Sequence, residues 1–186
     1  QQAYQPCVEL SLHVDHDAEP GSLRRWLDLD GAVAGLDYRA HGTTFRRRVI
    51  ASYPDQILAI RLESEGPAPL NVGVRLASPH EDQQLGSRPG ALDADAIPLW
   101  LRGRVQRGGV RFASDLCVTT DGTMRVPGEH LQIEGASHIL LLLSVASSVV
   151  DYADISADAV ERSRACLGAA AEHSWDELLA RHQADH

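Results

Sequence analysis

The sequence predicts a mainly β protein, an antiparallel β-sandwich followed by two C-terminal helices. Three observations lead there. Apolar and polar residues alternate in short runs as far as about Val150, the pattern of strands with one buried face. Turn formers such as His41-Gly42 and Asp121-Gly122 separate the runs at short intervals. From Ser156 onward the alternation stops and helix-start signals replace it. Residues 1–150 are therefore expected to form the sandwich and 151–186 a helical extension.

The first strand lies within Tyr4 to Val14, with Val8, Leu10, Leu12 and Val14 on one face and Cys7, Glu9, Ser11 and His13 on the other. After a loop at Pro20-Gly21 comes a half-buried meander from Leu27 to Ser64. It begins with Leu27 to Asp30, breaks at Gly31, and continues with Ala32, Ala34, Leu36 and Tyr38 on one face. Thr43 to Ala51 returns, Pro54 marks a loop, and Gln56 to Glu63 places Leu58, Ile60 and Leu62 together. Leu70 to Ser78 alternates cleanly. Pro79 to Ile97 reads as one long loop, of the kind that often carries function. Leu99 to Val105 resumes the sheet, Arg107-Gly108-Gly109 turns it, and Val110 to Thr119 returns with Val110, Phe112, Leu116 and Val118 inward. Asp121-Gly122 signals a hairpin, followed by short strands around Met124-Arg125-Val126 and Leu131-Gln132-Ile133. Ala136 to Val149 is apolar on both faces, as a central strand covered by two layers would be. Ser156 is expected to cap a helix reaching Ala171, with Val160, Ser163, Leu167 and Ala170 inward. Ser174-Trp175-Asp176-Glu177 is a capping box opening a second helix that buries Leu178, Leu179 and His182.

Composition narrows the function classes. With 186 residues, 44% hydrophobic, the chain can bury a core. A net charge of −9 argues against a nucleic-acid partner and suits a neutral ligand such as a sugar. All seventeen basic residues are arginine, read here as the codon bias of a GC-rich bacterial gene. The longest apolar run, Ile139 to Val150, carries three serines and is too short to span a bilayer. Cys7, Cys117 and Cys166 make an odd number without CxxC spacing, so neither a disulfide framework nor a zinc site is expected; Cys7 and Cys117 read as buried thiols in strands.

No nucleophile elbow, phosphate loop or dinucleotide fingerprint occurs, no cofactor is implied, and no catalytic residue is nominated. Three side chains are candidates for the rim of a sugar site: His80 at the mouth of the long loop, and Trp26 and Trp100, whose rings suit stacking on sugars. Each has a plain alternative, an exposed loop histidine or a tryptophan packed in a core. His13-Val14-Asp15-His16 lacks a third metal ligand. Arg46, Arg47 and Arg48 alternate between faces and are expected to pair across strands with Asp28, Asp30 or Asp37.

Several of these strings, taken in order, resemble the N-terminal β-domain of glycoside hydrolase family 95, the α-L-fucosidases and α-L-galactosidases. They are Tyr4-Gln5-Pro6, Leu23 to Asp30, Tyr38, Gly42, Arg46, the Ser52-Tyr53-Pro54-Asp55-Gln56 stretch, Ser78-Pro79-His80 and Ser174 to Leu179. Cys7-Val8-Glu9 departs from the family's Leu-Gly-Asp. The resemblance implies a super-sandwich of the galactose-mutarotase type, with helices leading to an (α/α)6 catalytic barrel that this sequence does not contain. It further implies a fragment with strands missing before Tyr4 and self-association through uncovered surface, while the short apolar run leaves no membrane partner expected. Its localisation, cytoplasmic or secreted, stays open. The family's catalytic glutamate and asparagines belong to the barrel; the only asparagine here is Asn71. The implied role is a non-catalytic domain that shapes the barrel's cleft, the alternatives being a freestanding carbohydrate-binding sandwich or a protein-interaction module.

Overall fold

The computed structural model describes residues 6–87, 99–105 and 109–186. It contains twelve strands and two helices in these residues. Four strands form one antiparallel sheet in the order β1-β6-β11-β10, from Glu9–Val14 (β1), Leu70–Ala77 (β6), Leu131–Ala136 (β11) and Thr123–Arg125 (β10). Eight form the other, in the order β2-β3-β4-β5-β12-β9-β8-β7. These are Arg24–Asp28 (β2), Val33–Ala40 (β3), Thr43–Ser52 (β4), Ile57–Glu65 (β5), Gln83–Ser87 (β7), Leu99–Arg104 (β8), Arg111–Thr120 (β9) and His138–Ser147 (β12). The helices are Ala159–Ala171 (α1) and Trp175–Asp185 (α2). No helix among the described residues is long and apolar enough to cross a membrane.

The sandwich core lies between the sheets. Val72, Val74 and Leu76 of β6 and Leu131 and Ile133 of β11 meet Phe45, Leu62, Leu101, Phe112, Leu116 and Leu141 of the large sheet. A second core lies on the large sheet's other face. There Ile50, Ile57, Ala59, Cys117 and Leu142 meet Leu167 and Ala170 of α1 and Trp175 and Leu178 of α2. Helices thus form a third layer. β12 sits between β5 and β9 with both faces covered, as its unbroken apolar run predicted. The same layer corrects the half-buried reading of the meander: β4 and β5 bury residues on both faces.

Other expectations need adjustment. The long loop contains β7, whose Leu85 pairs with Leu101; residues 88–97 of that loop, like Tyr4-Gln5 and Arg107-Gly108, lie outside the described residues. Asp121-Gly122 closes no hairpin. β9 ends in the large sheet and β10 starts in the small one, so the turn is a corner between sheets, held because Asp121 accepts from the Ser137 and His138 amides. Asp158, not Ser156, caps α1: its carboxylate accepts from the amides of Val160 and Glu161, and Ala159 replaces Val160 on the buried stripe. The capping box at Ser174 forms as read, Leu178 and His182 are buried, and Leu179 is only partly so. Cys7 is half-buried just ahead of β1, where burial pushes its thiol up.

Candidate functional site

The three rim candidates do not converge. Trp26 and Trp100 sit in the first and seventh strands of the eight-stranded order, about 29 Å apart at ~4.8 Å per strand. His80 is at Trp100's end of the sheet but against the opposite face, on Phe112, with ring centroids 5.3 Å apart. The exposed-loop reading of His80 is wrong: the residue is 6% exposed, and its Nε2 has no hydrogen-bond partner among the described residues.

The two tryptophans occupy similar settings. Trp26 covers Gly35, its cross-strand partner, so closely that a Cβ there would fall 2.1 Å from the indole. Its Nε1 donates to Asp37 at 2.8 Å, Arg48 donates to the same carboxylate at 2.7 Å, and the guanidinium lies 4.7 Å from the ring. Burial pushes the Asp37 carboxyl up, but the hydrogen bonds from Trp26 and Arg48 outweigh it and hold it below the ordinary range. Beside this ring is a cleft of about 310 Å³, bordered by Arg61, Glu63, Trp175 and Leu179. Trp100 likewise covers its partner Gly86, with Arg102 5.2 Å away and ion-paired to Asp115. In both settings a guanidinium and a glycine already engage the indole, and at Trp26 a carboxylate does so as well.

Of the other charged motifs, Arg46 pairs with Glu65 and Arg48 with Asp37; Asp28 instead accepts from the Asp30 and Gly31 amides of its own turn. His16 stacks 4.3 Å from Phe45 and shares a 2.9 Å hydrogen bond with the Tyr38 hydroxyl, whereas His13 faces away on the small sheet.

His13 belongs to a larger concavity that no single motif marked. A trough of about 660 Å³ crosses the outer face of the small sheet, lined by Ser11 and His13 of β1, Asn71, Gly73 and Arg75 of β6, and Gln132 of β11. Asp15, His130 and Glu134 stand on its rim. Asn71 is fixed at both ends, donating to Asp15 at 2.8 Å and accepting from the Gly135 amide at 2.9 Å. Burial pushes the Asp15 carboxyl up, but hydrogen bonds from Asn71 and His16 prevail and lower it. Alternation had placed these polar side chains outward; that β1, β6 and β11 are neighbours is information no local pattern carries.

Among the described residues, the carboxylates whose proton affinity shifts, Asp15, Asp37, Asp121, Asp154, Asp158 and Glu177, all shift downward. A general acid for glycosidic cleavage requires the opposite shift. These groups are suited to holding hydrogen-bond donors, not to delivering protons.

Comparison with known proteins places this architecture. A family model described as glycosyl hydrolase family 65, N-terminal domain, matches residues 1–152. The chain belongs to that family. Among curated proteins, this family 65 N-terminal domain is 25% identical to alpha-L-fucosidase 2 of Arabidopsis thaliana over 208 residues, an alignment covering 98% of the chain and 25% of the relative. The chain thus spans about a quarter of that protein. Among solved structures, a putative kojibiose phosphorylase from the human microbiome superposes with a TM-score of 0.57 at 9% identity, over 97% of this chain and 28% of that one. That likeness establishes the shared sandwich-and-helices fold. The resemblance drawn from motifs therefore holds at the level of a glycoside hydrolase N-terminal domain.

Proposed function

We propose that the chain is the non-catalytic N-terminal β-domain of an α-L-fucosidase-like glycoside hydrolase, packing on a helical catalytic barrel and shaping one side of its cleft. The observation that carries this reading is the extent of the fucosidase match. It covers 98% of the chain, so it runs past residue 152 into the two helices, while occupying only a quarter of the relative. The carboxylates whose proton affinity shifts are lowered, which supports a role without proton transfer. Of the three rim candidates, Trp26 retains a claim, because a cleft opens beside it.

The test is to incubate the purified chain with an aryl α-L-fucoside and with a fucosylated oligosaccharide and follow fucose release. No turnover above background is expected. Turnover that co-purifies with the chain and disappears on substitution of one of its own carboxylates refutes the reading. An in-frame downstream stretch encoding a helical barrel is the corresponding expectation for the gene.

A further inference from the structure

We infer that the trough on the outer face of the four-stranded sheet is a binding site for a neutral carbohydrate chain, with Gly73 as its floor. The argument begins with glycines inside strands. Glycine in a strand sacrifices packing and conformational entropy, so its presence calls for a reason. Among the described residues, Gly35, Gly86 and Gly103 have one: each is covered by the aromatic ring of its directly paired residue, Trp26, Trp100 and Phe112, and a Cβ would lie 2.0–2.3 Å from the ring. Gly73 has no such reason. Its φ is not positive, its partners are His13 and Gln132, and a Cβ there would meet nothing nearer than the His13 Cβ at 3.7 Å. The backbone tolerates a side chain at this position; the consequence of glycine is an open floor in the middle of the trough.

Around that floor stand side chains without protein partners. His13, Arg75, His130 and Gln132 make no side-chain hydrogen bond among the described residues, while Asn71, clamped by Asp15 and Gly135, retains one amide hydrogen. Imidazole, amide, carboxylate and guanidinium groups together can donate to and accept from vicinal hydroxyls. Asp15 and Glu134 offset Arg75, and the net charge of −9 disfavours an anion, so a neutral polyol is the matching ligand. A volume of about 660 Å³ lies in the range of small-ligand sites and exceeds what one sugar ring needs. No phenylalanine, tyrosine or tryptophan is among the residues lining the trough, so affinity rests on hydrogen bonds and is expected near ~1 mM. The inference does not rest on the fucosidase reading, since binding here is independent of which bond the parent enzyme cleaves.

The experiment is a two-dimensional amide NMR titration of the whole chain with maltotriose and, separately, with 2′-fucosyllactose. The expected result is saturable shifts, with at least one of the two, centred on the amides of Gly73 and Gly135 and the Asn71 side chain. Gly73→Val fills the floor with a good strand former and should weaken binding at least tenfold while leaving the spectrum's dispersion intact. Should that variant fold poorly, the pair His13→Ala and Gln132→Ala takes its place, with the same loss expected. Absence of saturable shifts at the trough for both trisaccharides, or binding unaffected by either set of substitutions, overturns the inference.

Discussion

Replacing Asp115 with alanine should loosen α1 from the large sheet at a cost far above that of an ordinary surface change. Asp115 is fully buried in β9. One carboxylate oxygen accepts from Arg102 Nη2; the other accepts from Ser163 Oγ of α1 at 2.7 Å. Ser163 also shares a 2.6 Å hydrogen bond with Ser144 of β12, so four elements, β8, β9, β12 and α1, meet in this network. Removing it leaves a guanidinium that is only 16% exposed without its counter-ion, though still bonded to the Ser114 and Leu101 carbonyls. Breaking such a pair from one side costs about 3–5 kcal/mol. The lost Ser163 bond, worth about 1 kcal/mol, belongs to the same network and does not simply add. At a urea slope of about 2 kcal/mol per molar, the midpoint should fall by about 1.5–2.5 M. The assay is urea unfolding followed by far-ultraviolet circular dichroism and tryptophan fluorescence. Asp115→Leu combined with Arg102→Met, which removes both charges, should recover a large part of the loss. A loss under about 1 kcal/mol for Asp115→Ala, or a double variant no better than the single one, would falsify the buried-pair account.

Three further outcomes are expected. Gly35→Ala places a Cβ 2.1 Å from Trp26, which must swing out and release Asp37 and Arg48; the cost is about 1–3 kcal/mol, and an unchanged tryptophan emission spectrum would contradict it. Asp121, held at about 2 by the Ser137 hydroxyl and the Ser137 and His138 amides, has a folded pKa below its ordinary 3.8. Its contribution is therefore present above about pH 4 and lost as pH falls towards 2. Because the side chain is exposed, screening reduces that contribution to about 1 kcal/mol. The stability gap between the native chain and Asp121→Ala, measured by urea titration across this range, should narrow as pH falls; a pH-independent gap rejects the assignment. Leu23, Leu27 and Leu29, 50%, 64% and 73% exposed in and beside the edge strand β2, should drive self-association. Leu27→Gln with Leu29→Glu should shift sedimentation towards monomer, and a native chain already monomeric at high concentration disposes of the idea.

How legible the molecule was depends on the range of the interaction concerned. Period-two alternation located most strands because each inward residue reports on its own strand alone. It failed where a distant element changed the environment. In Arg111–Thr120, Asp115 falls on the face opposite Phe112, Leu116 and Val118, the one alternation leaves to solvent; α1 makes that face interior. The Ser52 to Gln56 motif, which carried part of the family resemblance, acquires a physical meaning only in the fold. Ser52 donates to Asp55 at 2.6 Å, Asp55 is 9% exposed, and it accepts from Arg181 of α2 at 2.8 Å, so the loop is a clasp for the last helix.

The candidate sites show the same limit more sharply. A tryptophan in a strand suggests a sugar platform when its neighbours are unknown. With the register in hand, Trp26 and Trp100 prove to be the aromatic partners that cover Gly35 and Gly86, a pairing that stabilises a sheet where glycine would weaken it. The informative residue of each pair was the glycine. Applied to the remaining strand glycines, that reasoning accounts for Gly103 through Phe112; Gly135 is required by its positive φ at the β11 irregularity, and Gly73 is left uncovered between His13 and Gln132. Leu70–Ala77 reads as a clean strand with one inexplicable gap. The gap acquires a use once β1 and β11 are known to flank it with polar side chains that find no partner among the described residues, so the strand's weakest packing position coincides with a trough of about 660 Å³.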